Sequence, residues 1–101
     1  MRSLRLEPSV MDDLADQSDW WNDRELGLGA EFEAEFWKAL PQIQSQPELY
    51  RPAYKNFRRM LTERFHAHIY FQCDEDGIVV TLLRDARRDD KRIRSILKSR
   101  S

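Results

Sequence analysis

The sequence predicts an α+β fold: an N-terminal strand, an antiparallel helical hairpin, a three-stranded antiparallel meander and a short C-terminal helix. Three observations predict it. Apolar residues of the first half recur every three or four positions, the period of a helix with one buried face. Those of the second half fall in short runs rich in aromatic and β-branched residues, as strands do. An Asp-Gly pair, Asp76-Gly77, separates two of these runs and signals a hairpin turn.

The first element is a strand over Ser3–Glu7, where alternation puts Leu4 and Leu6 on one face, and Pro8 closes it. Ser9 is a suitable N-cap for the helix that follows, and Asp12 and Asp13 suit its positive end. Val10, Leu14 and Trp21, with Met11, recur at helical spacing until Gly27 and Gly29 end the element. A second helix starts at about Ala30, with Phe32, Phe36, Leu40 and Ile43 as its stripe, widened by Trp37 and Ala39. Pro41 removes a backbone hydrogen bond inside this pattern, so a kink or early stop is expected there, and Pro47 ends the helix. The short link between the two helices calls for an antiparallel hairpin.

Strands are expected over Tyr54–Thr62 and Arg64–Cys73. The turn Asp74-Glu75-Asp76-Gly77 leads into Ile78–Leu83, an almost continuous apolar run that reads as a central strand buried on both faces. From Asp89 to Lys98, Ile93, Ile96 and Leu97 sit at helical spacing among basic residues and predict a short helix. No repeat or linker divides the chain, so residues 1–101 read as a single domain.

Its 101 residues suffice to bury one core without disulfides or metals. A charged fraction of 35% can mark disorder, but 11 regularly spaced aromatic residues argue for a packed core under a charged surface. Cys73 is the only cysteine, so no intramolecular disulfide forms, and a reducing compartment is its simplest home. The N-terminus lacks the apolar stretch of a signal peptide, and no run approaches the roughly 18 apolar residues of a membrane span. A cytoplasmic protein without membrane association is expected. The net charge of −1 conceals an asymmetry. Residues 1–50 carry 4 basic and 11 acidic residues; residues 51–101 carry 13 and 7. Either the two halves attract each other, or the second half presents a basic surface to nucleic acid or to an acidic partner segment.

Phosphate-binding Gly-rich loops, G-x-S-x-G and H-E-x-x-H are all absent. Cys73 abuts a turn and reads as a solvent or packing residue. His66 and His68, two apart on the expected strand, share one face. With no carboxylate or thiol placed beside them, contact with nucleic acid or proton transfer suits them better than a metal. Neither a metal nor a cofactor is expected. Arg58 and Arg59 must face opposite sides of their strand, and Arg64 opens the next. Arg84, Arg87 and Arg88 follow the buried run and are placed to gather at one sheet end, where guanidinium forks would suit phosphate or carboxylate. Trp20 and Trp21 cannot both face the core, so one should be partly exposed and mark a partner surface.

Order and wording together resemble the RelE/ParE superfamily of toxins from bacterial type II toxin–antitoxin systems. The resemblance rests on Asp13-Leu14 through Trp20-Trp21, Gly29 to Phe32, Pro47 to Tyr50, the stretch from Arg58-Arg59 through Arg64-Phe65 to Tyr70-Phe71, and Val80 through Arg84-Asp85 to Asp89. The chain departs from the family at His66-Ala67, where Pro-Tyr is usual, and at Asp85, where His is common. By rough alignment Arg59 and Arg87 match two basic members of the RNase set, His68 stands where a strand Arg is often found, and Ile93 falls near the expected Tyr. The resemblance implies a growth-inhibiting, plasmid-stabilising toxin of the ParE-like branch, acting on a target such as DNA gyrase and neutralised by a cognate antitoxin that covers its basic sheet surface. It implies, as alternatives, a RelE-like ribosome-dependent mRNA endoribonuclease using His68, Arg59 and Arg87, or a non-toxic binding relative. Arg58, Arg64, His66, Arg84 and Arg88 are then the residues expected to meet nucleic acid or antitoxin.

Overall fold

The computed structural model describes residues 2–88 and 91–101. It is α+β, as the periodicities predict, but the sheet has five strands and is mixed: β1 (Leu4–Leu6), β2 (Arg51–Tyr54), β3 (Phe57–Leu61), β4 (Ala67–Asp74) and β5 (Gly77–Asp85), in the order β1-β5-β4-β3-β2. Helices α1 (Pro8–Arg24) and α2 (Leu28–Ser45) pack on one face and α3 (Ile93–Arg100) on the other.

The expected three-stranded meander is therefore corrected twice. Strands β2 to β5 form four antiparallel strands, and β1 joins them parallel to β5, with Leu4 opposite Ile78 and Leu6 opposite Val80. Tyr54–Thr62 divides at Lys55-Asn56, where Lys55 adopts φ 49°, and the residues before it make the extra edge strand. Parallel pairing of β1 follows from the wrap of the chain: the hairpin carries it over the sheet, so β1 runs alongside the last strand. Gly77 makes this possible, because a Cβ there would lie 2.4 Å from the Ser3 carbonyl oxygen, which accepts the Ile78 N–H at 2.8 Å. The apolar run is thus an interior strand flanked by β1 and β4, while β4 holds the middle of the sheet.

Element boundaries also shift. Helix α1 begins at Pro8 rather than after Ser9, since the first helical position needs no N–H. Pro41 neither ends nor splits α2, which continues to Ser45; the expected early stop is absent because the helix is held along Phe36, Ala39, Leu40 and Ile43, all buried in the core. The strand expected from Arg64 starts at Ala67, because Phe65 and His66 both take positive φ, 67° and 47°, and form the β3–β4 turn. At the β4–β5 turn, Gly77 alone has positive φ, and Asp74 Oδ1 accepts the Asp76 N–H at 2.8 Å. The expected start of the last helix, Asp89 and Asp90, lies outside the described residues.

Two cores sandwich the sheet. Val10, Leu14, Phe32, Phe36 and Ile43 bury against Ile69, Phe71, Ile78, Val80 and Leu83 under the hairpin. Phe57, Tyr70, Leu82 and Leu97 make the smaller core under α3. A β-bulge decides how β5 is shared. Tyr70 pairs with Leu82 but Phe71 pairs with Val80, leaving Thr81 as the extra residue. Alternation is reset there: Ile78 and Val80 face the hairpin, and so does Leu83, while Leu82 faces α3. No described helix is long and apolar enough to cross a membrane.

Candidate functional site

Beyond β1, the edge of β5 would expose unpaired backbone, a hazard for edge-to-edge association. Side chains cover it. Asp13 accepts the Leu83 N–H at 3.1 Å, Gln17 donates to the Leu83 carbonyl at 2.9 Å, and Arg100 donates to the Thr81 carbonyl at 3.0 Å. Arg100 also grips Asp13 with both Nη atoms, at 2.7 and 3.1 Å, so one ion pair ties α3 to α1. Hydrogen bonding to Asp13 raises the proton affinity of Arg100 above its ordinary value, outweighing burial.

With α3 pinned there, a groove opens between it and β2–β3. Ala53, Tyr54, Arg59, Tyr70, Lys91, Ile93 and Arg94 line about 450 Å³. No acidic side chain is among them, and Arg59, Lys91 and Arg94 make no ion pair among the described residues. Tyr54 is bracketed by cations, with Arg94 and Lys55 each 5.4 Å from its ring centroid. Register carries this face along the sheet: Arg59 opposes Tyr70, and His68 opposes Arg84. The Thr81 bulge is what brings Arg84 here, since uninterrupted alternation from Val80 would turn it toward the hairpin.

His68 is half-buried, 5.9 Å from the Tyr70 ring. Burial, and then the charge of Arg59, lowers its pKa below the ordinary 6.5, so the imidazole is neutral at neutral pH. Arg84 is likewise held below its ordinary value by burial, then by Arg88 and Arg92, with Asp13 opposing.

No family model matches the chain, and no curated protein matches it. The site therefore rests on geometry alone.

Of the three residues assigned to RNA cleavage, two meet. Arg59 and His68 share the groove face. Arg87 lies elsewhere, its guanidinium forked onto Asp85 at 3.1 and 3.0 Å and lying 5.7 and 5.6 Å from the Trp20 and Trp21 centroids. Burial alone would raise the Asp85 pKa, but hydrogen bonds from the Arg87 side chain and backbone, with the charges of Arg87 and Arg88, hold it below its ordinary value. Arg84 and Arg88 share a second cleft of about 250 Å³ between α1 and β5, which Arg87 does not line.

The remaining assigned residues disperse. Arg58 faces away from Arg59, as adjacent strand positions require, and donates to the Tyr50 carbonyl at 2.7 Å. Arg64 pairs with Glu31 at 3.0 Å on the hairpin side. His66 sits in the β3–β4 turn, so it does not share a strand face with His68; the positive φ of the turn overrides the alternation. Among the described residues no group of His, Cys, Asp and Glu is arranged to hold a metal. Cys73 is exposed, with Arg2 Nη1 3.5 Å from its sulfur. Trp20 is the more exposed of the adjacent pair, with Arg24 stacked 3.8 Å from its centroid. Tyr54, Lys91 and Arg94 were missed by sequence reasoning. The signal for the last two was the basic residues fanning around the apolar positions Ile93, Ile96 and Leu97.

Proposed function

We propose that the chain is a toxin of the RelE/ParE kind, closer to the ParE-like branch, neutralised by an antitoxin whose acidic segment lies in the groove between α3 and β2–β3. The observation that carries this reading is the groove itself: three cations without acidic partners among the described residues, beside an aromatic ring, in a chain of net charge −1. Unpaired cations on a surface repel one another and favour an anionic partner. The order strand, helical hairpin, antiparallel strands and terminal helix supports the family assignment, as do the motifs that carry the resemblance. Its target is then a cellular protein such as DNA gyrase.

The RelE-like alternative has one specific support: a neutral His68 beside Arg59 pairs a proton acceptor with a group that stabilises charge on phosphate. Against it, Arg87 is engaged by Asp85 rather than brought to His68. Induced expression with two readouts tests both. A ParE-like toxin arrests growth, leaves mRNA intact and stabilises cleaved DNA; a RelE-like toxin cuts mRNA during translation and loses that activity in His68→Ala. Harmless expression without an antitoxin defeats both and leaves a non-toxic binding relative. Co-purification with the neighbouring gene product tests the groove, where Arg59→Glu with Arg94→Glu should abolish the complex and leave the fold intact.

A further inference from the structure

We propose that the outward face of the helical hairpin, opposite the basic groove, docks a cationic amphipathic helix from a partner chain. This does not depend on the toxin reading.

Helix α2 is apolar on two sides. Phe32, Phe36, Ala39 and Ile43 face the core, yet Ala30, Ala34, Trp37 and Pro41, at steps of four, three and four, are all exposed. A surface helix normally turns its polar residues to solvent, so a second apolar stripe on the outward side is a surface left without a cover. The seam with α1 continues this surface. Near the link the helices are drawn together: the Asn22 side chain accepts the Gly29 N–H at 2.8 Å, the Ser18 hydroxyl donates to Glu33 at 3.0 Å, and a Cβ on Gly29 would lie 2.5 Å from the Ser18 carbonyl oxygen. By helical spacing Met11 and Ala15 share the flank of α1 that carries Ser18 and Asn22, and Trp37 follows Glu33 by one turn on α2. Met11 and Trp37 stay 45% and 44% exposed. The outcome is a shallow apolar trough of two helix faces, the shape into which a third helix packs.

Charge selects the occupant. Asp12, Asp16, Asp19 and Asp23 follow one another at steps of four, three and four along α1, beside the trough. None of the four is in an ion pair among the described residues. Across α1 and α2 the acidic residues number eight against two basic ones, Arg24 and Lys38. From Asp12 to Asp23 the ridge runs 11 residue steps, about 16 Å at 1.5 Å per residue, so a helix of three turns with Lys or Arg on one flank matches it. An acidic segment suited to the groove on the other face would be repelled here. A second copy of this chain has no matching helix to offer, because the basic α3 buries Leu97 in its own core.

A displayed library of amphipathic helical peptides, with flank positions randomised among Lys, Glu, Gln and Ser, can be selected against the intact protein. Sequences carrying Lys on one flank should be enriched. The enriched peptide should bind at least tenfold more weakly to Asp16→Lys/Asp19→Lys and to Trp37→Lys, with folding of both variants checked by circular dichroism. Enrichment of Glu or uncharged flanks overturns the proposal. So does the absence of any enriched sequence, or equal binding by the variants. Self-association that Trp37→Lys abolishes would assign the face to a second copy and overturn it too.

Discussion

Replacing Asp13 by Ala should be among the most damaging single changes outside the apolar core. Its carboxylate accepts three hydrogen bonds, two from Arg100 and one from the Leu83 N–H. The pair is largely withdrawn from water, with side-chain exposures of 22% and 15% for Arg100 and Asp13. A hydrogen bond to a charged group contributes about 1.5–3 kcal/mol, and a buried donor left unsatisfied costs about 1–3 kcal/mol. Water can reach the vacated site in part, so the lower ends apply and the sum is about 3 kcal/mol. In a domain of this size that corresponds to a melting temperature lower by roughly 12–24 °C. Urea and thermal unfolding followed by circular dichroism measure it. A double-mutant cycle with Arg100→Ala isolates the pair, with a coupling of about 2 kcal/mol expected. A loss under about 0.5 kcal/mol for Asp13→Ala, or strictly additive single mutants, would refute the claim that this ion pair holds α3 to α1 across the sheet edge.

Other outcomes are equally specific. The lowered His68 pKa means the unfolded chain takes up a proton first as pH falls, so the stability tied to neutral His68 is complete above about pH 6.5 and is lost below it, through the lowered folded value; urea midpoints between pH 5 and 7.5 should show this loss in the native chain and not in His68→Gln. His66→Gly should stabilise by about 0.5–1 kcal/mol, because it relieves a positive φ that costs a side chain about 1–2 kcal/mol, offset by roughly 0.5–1 kcal/mol of extra backbone entropy that Gly loses on folding; an unchanged or lower urea midpoint would count against strain in this turn. Gly29→Ala should destabilise by about 1–3 kcal/mol, since its methyl group meets the Ser18 backbone and Asn22 side chain and must push α1 and α2 apart; a melting temperature equal to the native one would mean the hairpin is looser than described.

Much of the fold was legible in the sequence because it is written in local periods. Leu14, Phe32, Phe36 and Ile43 reveal their helices by spacing, and Ile78 to Leu83 reveals a doubly buried strand by its unbroken apolar run. Period says which face of an element is buried, though not which element covers it. Parallel pairing of β1 with β5 spans more than 70 residues of sequence and depends on the missing Cβ of Gly77, so no local pattern announces it. The short strand β2 was hidden for a related reason: Arg51-Pro52 is poor strand sequence, and only its pairing with Arg58 and Arg59 makes it one.

The same division runs through the site. Composition alone determined that the cations gather in the second half of the chain and the carboxylates in the first. Adjacency alone determined that Arg58 and Arg59 separate. Which cations share a surface was decided by tertiary structure. One extra residue at Thr81 reverses the alternation of β5, sets Arg84 opposite His68, and lets Asp85 capture Arg87 on the far side. A bulge exists only as a mismatch between two paired strands, so neither strand's sequence contains it. Side-chain direction along a strand is a parity, and parity beyond a bulge is set by the partner.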